Sequence, residues 1–358
     1  MEIKEKVIEK GRNESMETKM AYGVDLGWLS QLEARGIHWV DAEKKEVEPL
    51  AAMKEMGVDA VRFRIFVNPP KDAYWRKDEK TVCMLGFCDG QSVLEVSKRV
   101  KEAGMKLMLD FHYSDHFADP QYQDIPEEWT QDDAKQLTKR VYQHTKDVMT
   151  LFVENGVTPE WVQVGNEINP GLLLPMGSRK EHPEQMTAFL NAGYDAVKEV
   201  CPSCQVITHL ACGNFPQLCD PFWEAFFGNG GKTDILGFSH YPYWYDMMKE
   251  HMEEKLTDPF YNPLTYYAER YQKPVMIVEV GGPETDPEGT YELLMDTMEA
   301  VRQVPDGQGL GVFYWEPEVG AELLPDKYPL GAAVALDEHT IQFTSALSAY
   351  KAYKESHS

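Results

Sequence analysis

The chain has 358 residues, enough for one large α/β barrel or two ordinary domains and too many for a small disulfide-stapled module. Hydrophobic residues make up 43% and aromatics 11%, more apolar surface than a disordered chain carries. Lys+Arg 35 against Asp+Glu 59 leaves a formal charge of −24, whose field repels phosphate backbones and anionic headgroups; neither nucleic acid nor a membrane surface is expected as a partner.

Residues 1–20 are highly charged and lack the apolar run of a secretory leader, so they read as a mobile N-terminal extension and the protein as cytoplasmic. Beyond them, short β-branched or aromatic runs alternate with amphipathic helical stretches, the pattern of parallel βα units. Strands are expected at 21–27, 59–67, 106–112, 160–167, 205–211, 235–241, 274–280 and 309–316. Helices are expected at 90–103, 130–154, 183–200, 263–271, 290–304 and 345–355, with Gly104 and Asn155-Gly156 as stops. Eight strands with crossovers of about 30 residues or more indicate an α/β fold, a (β/α)8 TIM barrel forming a single domain over residues 21–358. The tract 69–87 reads as a long loop after the second strand. No glycine-rich phosphate-binding signature follows the first strand and no P-loop is present, so no nucleotide cofactor is expected.

Six cysteines remain. Cys201, Cys204, Cys212 and Cys219 cluster in sequence, but the second pair lacks tight zinc-site spacing and a strand-like run separates the pairs. Reduced structural thiols are the expectation.

Loops after the strands form the catalytic rim of such a barrel, so polar strand ends carry the functional signal. They are Asp25, Arg62 and Arg64, His112 and Asp115, Asn166 and Glu167, His240 and Tyr241, Glu279, and Trp315 with Glu316. Glu167 ends Trp161-Val-Gln-Val-Gly-Asn-Glu167 and Glu279 ends Pro274-Val-Met-Ile-Val-Glu279, on the fourth and seventh strands. On a closed barrel both can point into one cleft, the requirement for two carboxyls sharing a glycosidic bond; the bland alternative makes each a rim salt-bridge acceptor. His112, Asp115, His116 and Asp119 also invite a divalent-metal reading, but no converging ligand set is visible and no metal is expected.

These residues lie in stretches that resemble glycoside hydrolase family 53, the arabinogalactan endo-β-1,4-galactanases of clan A. The matching blocks are Tyr22-Gly-Val-Asp-Leu-Gly-Trp28, Gly57-Val-Asp-Ala-Val-Arg-Phe-Arg-Ile65, Asp110-Phe-His-Tyr-Ser-Asp115, Val162-Gln-Val-Gly-Asn-Glu167, Ser239-His-Tyr-Pro242 and Phe313-Tyr-Trp-Glu-Pro317. The resemblance implies a retaining hydrolase of β-1,4-galactan or galacto-oligosaccharides, with Glu167 as acid/base and Glu279 as nucleophile beside the cation Arg62. It further implies that Asn166 binds the sugar 2-OH, Tyr241 donates to Glu279 and Trp315 stacks under the reacting ring. His112 would complete the polar wall, with Asp115 counted among the substrate-binding residues. An exo-acting clan A β-glycosidase on another β-linked oligosaccharide and a catalytically silent sugar-binding barrel remain as alternatives.

Some positions depart from the family pattern. His116-Phe117 stands where Thr-Trp is usual, Leu174 where an aromatic is common, and His240 where the first Tyr of Ser-Tyr-Tyr-Pro belongs. Fewer aromatic platforms imply a preference for short galacto-oligosaccharides over polymer. The loop 281–289 lacks the His and Asn of the calcium-binding members, so no such ion is expected.

Overall fold

The structure, a computed structural model, describes residues 20–249 and 261–357; residues 1–19 of the expected extension lie outside the described residues. Eight parallel strands close a barrel. They are β1 (Ala21–Asp25), β2 (Ala60–Ile65), β3 (Lys106–Phe111), β4 (Trp161–Val164), β5 (Gln205–Leu210), β6 (Ile235–His240), β7 (Val275–Val280) and β8 (Gly309–Tyr314). Each pairs with its sequence neighbours, and β8 returns to β1. All eight fall where the hydrophobic runs place them, because each is apolar on both faces, as a strand with helices outside and packed side chains inside must be.

Alternation sorts those faces. Val61, Phe63 and Ile65 of β2 join the large outer cluster that the helices cover. Ala60 joins an inner cluster with Ala21, Met108, Trp161, Ile207, Ile235, Met276, Val278 and Phe313, a dry plug in the barrel. Gly23 serves this layer: a Cβ there would lie 2.2 Å from the Phe313 ring, so only glycine leaves the ring its place.

The expected helices form at Gly90–Glu102, Ala134–Glu154, Pro183–Val200, Tyr261–Tyr271, Pro287–Arg302 and Ser348–Ser356. Ala134–Glu154 starts later than its periodicity suggests because Asp133 and Gln136 close a capping box that fixes the first turn. Pro216–Gly228 is a helix the sequence did not announce; Pro216 suits a first helical position, and Pro221 is tolerated inside because Phe222, Trp223 and Phe226 are buried. Short helices also form at Leu29–Ala34, Pro49–Glu55 and Pro242–Lys249, where no helix is expected. Within the tract expected as loop, Tyr74–Arg76 and Val82–Met84 form an antiparallel hairpin. A four-stranded accessory sheet joins His38–Val40 and Glu46–Val47 to Ala333–Ala335 and Thr340–Phe343.

The cysteine expectation fails in part. Cys201 and Cys204 are disulfide-bonded, because the helix ends at Cys201 and a turn brings the two Cα atoms to 5.4 Å. Cys83, Cys88, Cys212 and Cys219 are free thiols. Among the described residues, no helix is long and apolar enough to cross a membrane.

The inner plug predicts its own sensitivity. Phe313→Ala removes a fully buried ring beside Gly23 and Trp161 and is expected to lower unfolding free energy by about 3–5 kcal/mol in urea titration.

Candidate active site

Above the plug, the inward positions turn polar. Arg62 follows Ala60 on the same face of β2 and is 1% exposed. Its guanidinium meets Asp25 Oδ2 at 2.8 Å, Asp110 Oδ2 at 2.7 Å and Glu279 Oε1 at 2.9 Å, and donates to Asn166 Oδ1 at 2.9 Å. Burial opposes the charge, but Asp110, Glu279 and Asp25 more than compensate and raise the Arg62 pKa above its ordinary value. Arg64, one inward step further, is spent elsewhere: it pairs with Glu316, donates to the Leu85 carbonyl at 2.8 Å and lies over Phe117. Of the two cations at the end of β2, Arg62 is the one that reaches Glu279.

Glu279 reaches Arg62 through an irregularity. Met276 and Val278 already face the inner plug, so strict alternation would send Glu279 outward. The register shifts between Phe238 and Ser239 of β6, and again between Ile277 and Val280 against β8, and that slippage turns Glu279 in beside Ser239. Tyr241 donates to Glu279 Oε2 at 2.8 Å.

Strand β4 ends at Val164, short of the expected residue 167, because Gly165 (φ 82) and Glu167 (φ 50) both take left-handed conformations. The turn drops Asn166 onto Arg62 and sends Glu167 to Ser239, whose Oγ lies 2.5 Å from Oε1. Ser239 is paired in register with Glu279, so the two carboxyls flank one residue of β6.

Their surroundings differ. Burial raises both carboxyls; the Arg62 charge and the Tyr241 hydroxyl pull Glu279 back. For Glu167, burial and the repulsion of Glu279 outweigh the Ser239 hydrogen bond and a smaller pull from Arg62, and it stands well above the usual carboxylate range. Of the two, Glu167 is therefore the one whose surroundings favour the proton more strongly. Burial and the Glu279 charge push Tyr241 well above its ordinary value, keeping it a donor.

His112 accepts from the Ala118 N–H at Nδ1 (2.9 Å), so its Nε2–H donates to Asp110 at 2.8 Å. Trp315 lies edge-on to Trp28 and Tyr328, with ring centroids 5.3 and 5.0 Å away. Asp115 stands apart from this cluster: its oxygens accept the backbone N–H groups of Asn68 (3.0 Å) and Glu127 (2.9 Å), clasping two rim loops. His116 stacks on Trp75 at 4.0 Å and pairs with Asp124, while His240 contacts the Tyr245 hydroxyl at 2.8 Å. Among the described residues no three His, Cys, Asp or Glu side chains are grouped to hold a metal ion.

Four members of the network escaped the sequence reading: Asp110, Gln163, His209 and Ser239. All are fully buried. The signal for the first three was a polar residue inside an otherwise apolar strand, which is stable only when paired. Asp110 and His209 lie two residues, and Gln163 four, before the expected strand ends.

Arg62→Met would leave Asp25, Asp110 and Glu279 buried without their cation. The expected loss is about 3–5 kcal/mol at neutral pH in chemical denaturation. Each stranded carboxyl then has a folded pKa above its unfolded one, so the deficit should shrink as pH falls through the folded values. A deficit independent of pH would contradict the assignment of charge.

Comparison with known proteins agrees with this architecture. An uncharacterised protein of Niallia circulans is 31% identical over 82% of this chain and 82% of its own. An arabinogalactan endo-β-1,4-galactanase of Cellvibrio japonicus is 29% identical over 84% of this chain and 81% of its own. The solved catalytic domain of an Ignisphaera aggregans family 53 protein superposes with TM-score 0.78 at 25% identity, covering 94% of this chain and 96% of that one. The sequence model described as glycosyl hydrolase family 53 matches residues 21–350, and the chain belongs to that family.

Proposed function

We propose that the protein is a retaining endo-β-1,4-galactanase that cleaves galactan or galacto-oligosaccharides by double displacement. The observation that carries this reading is the unequal environment of two carboxyls flanking one strand residue. Glu279 is ion-paired and hydrogen-bonded, which favours the ionised form a nucleophile needs; burial and the Glu279 charge raise Glu167, which favours the protonated form an acid needs.

In the first step a Glu279 oxygen bonds to the anomeric carbon as the glycosidic C–O bond breaks, and its electron pair leaves with the departing oxygen, which takes the proton of Glu167. In the second, Glu167 removes a proton from water, the new oxygen attacks the anomeric carbon, and Glu279 is released as carboxylate. Asn166 has Oδ1 committed to Arg62 and His209, and one Nδ2 hydrogen committed to the Ala118 carbonyl at 2.8 Å. The second Nδ2 hydrogen is the donor for the sugar 2-OH. Trp315 offers the stacking face, and aromatic rings continue outward from it through Tyr328, Trp244 and Tyr243, the last 46% exposed. That run provides surface for sugar units beyond the reacting one. The relatives named as galactanases supply the identity of the sugar.

A time course on linear β-1,4-galactan is expected to release mixed product lengths early; release of a single short product would favour an exo enzyme, and no release a sugar-binding barrel. Glu279→Ala should abolish turnover. Glu167→Ala should lose about 10²–10⁴-fold on galactan yet retain attack on a nitrophenyl glycoside, whose leaving group needs no acid. The pH profile of kcat/KM should be a bell whose basic limb, set by Glu167, vanishes in that variant. The substitutions at 116, 117 and 174 predict a higher kcat/KM on galactotetraose than on polymer; the reverse order would discard that preference.

A further inference from the structure

Glu167 is the first member of a hydrogen-bonded chain that runs away from the substrate into the barrel. Ser239 Oγ lies 2.5 Å from Glu167 Oε1 and 2.7 Å from His209 Nε2; His209 Nδ1 lies 2.8 Å from Asn166 Oδ1, which accepts from Arg62 at 2.9 Å. The far end fixes the polarity of the rest. Arg62 is donor-only and Asn166 Nδ2 faces the Ala118 carbonyl, so Asn166 Oδ1 is an acceptor. His209 Nδ1 must then carry hydrogen, since two acceptors 2.8 Å apart would repel. Gln163 Nε2 also lies 3.1 Å from Nδ1, but its two hydrogens have three oxygen acceptors, the Asp110 carboxylate, Asn166 Oδ1 at 3.0 Å and the Gly165 carbonyl at 3.2 Å.

His209 is buried at strand β5 beside Arg62, and burial together with the Arg62 charge keeps it from taking a second proton. Its Nε2 is therefore a lone pair. Ser239 has one hydrogen and two neighbours that both want it, an Nε2 acceptor and the Glu167 carboxyl.

On the reading of Glu167 as the acid/base, we propose that the Ser239 hydroxyl is a two-position rotor, with His209 as its fixed acceptor, that holds the proton on Glu167. With Glu167 protonated, Glu167 donates to Ser239 and Ser239 donates to His209, and every site is satisfied. When the Glu167 carboxyl turns that proton to the leaving oxygen and gives it up, Ser239 O–H swings to the new carboxylate and His209 Nε2 loses its donor. No proton enters or leaves through the chain. Ionisation of Glu167 thus always strands a buried acceptor, which favours the protonated acid between turnovers. Ser239 and His209 are positioning residues in this scheme.

The other groups facing Glu167 are Glu279 on β7, Arg62 on β2, Asp119 on the loop after β3, Cys212 after β5, Tyr241 after β6 and Tyr328 after β8. Cys212 is pushed up to about 12 by burial and the Glu167 charge, and both tyrosines stand well above their ordinary values through burial, so none of these three adds a basic limb near neutrality. Removing the acceptor should free Ser239 to serve the carboxylate alone.

The test is the basic limb of kcat/KM in wild type, His209→Leu, Ser239→Ala and the double variant, each checked for folding by thermal melting. His209→Leu is expected to move that limb down by about one pH unit, a tenfold change in ionisation constant. In the Ser239→Ala background the same substitution should move it by less than a third of that. An unmoved limb in His209→Leu, or an equal shift in both backgrounds, overturns the rotor, because His209 would then act by its field or by packing. Nitrogen-15 NMR of wild type, with His209 assigned through Ser239→Ala, needs no change at His209: Nδ1–H with a bare Nε2 is expected, and Nε2–H would overturn the proposal. Loss of activity in Glu167→Ala without the retained nitrophenyl-glycoside turnover would instead remove the acid/base reading itself.

Discussion

One buried guanidinium organises the mouth of this barrel. Arg62 is enclosed by three carboxylates and two amides drawn from β1, β3, β4, β7 and the turn after β4, so a single side chain ties five parts of the ring together. A buried charge is tolerable only with such company, and the company is tolerable only with the charge. Asp25, Asp110 and Glu279 would otherwise repel one another in a region with little water. The inner plug of Ala60, Met108, Trp161 and Phe313 beneath them supplies the stability that this polar layer does not.

The same arrangement separates the two carboxyls chemically. Arg62 pairs directly with Glu279 and acts on Glu167 only through its field, and among the described residues Ser239 is the hydrogen-bonding neighbour of the Glu167 carboxyl. A modest difference in partners thereby becomes a difference in proton affinity, since each ionised carboxyl disfavours ionisation of the other. Gly165 and Glu167 in left-handed conformations and the register slip in β6 and β7 are the backbone distortions that set this geometry.

Much of the barrel was legible because burial writes itself into sequence: strands apolar on both faces, spaced by amphipathic helices, have few other folds available. The site was legible where polarity interrupts at strand ends, which marked Arg62, Asn166, Glu167, Tyr241 and Glu279. It was not legible where a choice depends on partners distant in sequence. Alternation argues against an inward Glu279, and only the slip against Ser239 reverses it. Gln163 and His209 read as isolated polar residues in apolar strands until Asn166 and Arg62 are placed beside them. Asp115 shared a motif with His112 but turned to two backbone amides, a choice that depends on where Asn68 and Glu127 arrive. The 201–204 turn likewise exists only because the preceding helix stops at Cys201.

The barrel seam lies between its first and last strands, β1 and β8, and the accessory sheet stitches residues 38–47 to 333–343 across the same side. Tyr350 adds a hydroxyl bond of 2.8 Å to the Gly23 carbonyl. During synthesis, therefore, β1 emerges before the other barrel strands and waits for its partner until residues 309–314 have left the ribosome, with one ladder edge open throughout. Until that late pairing, Asp25 is attached to a ring that cannot yet exclude solvent. The nascent enzyme is thus most vulnerable to self-association before its active-site charges are sealed.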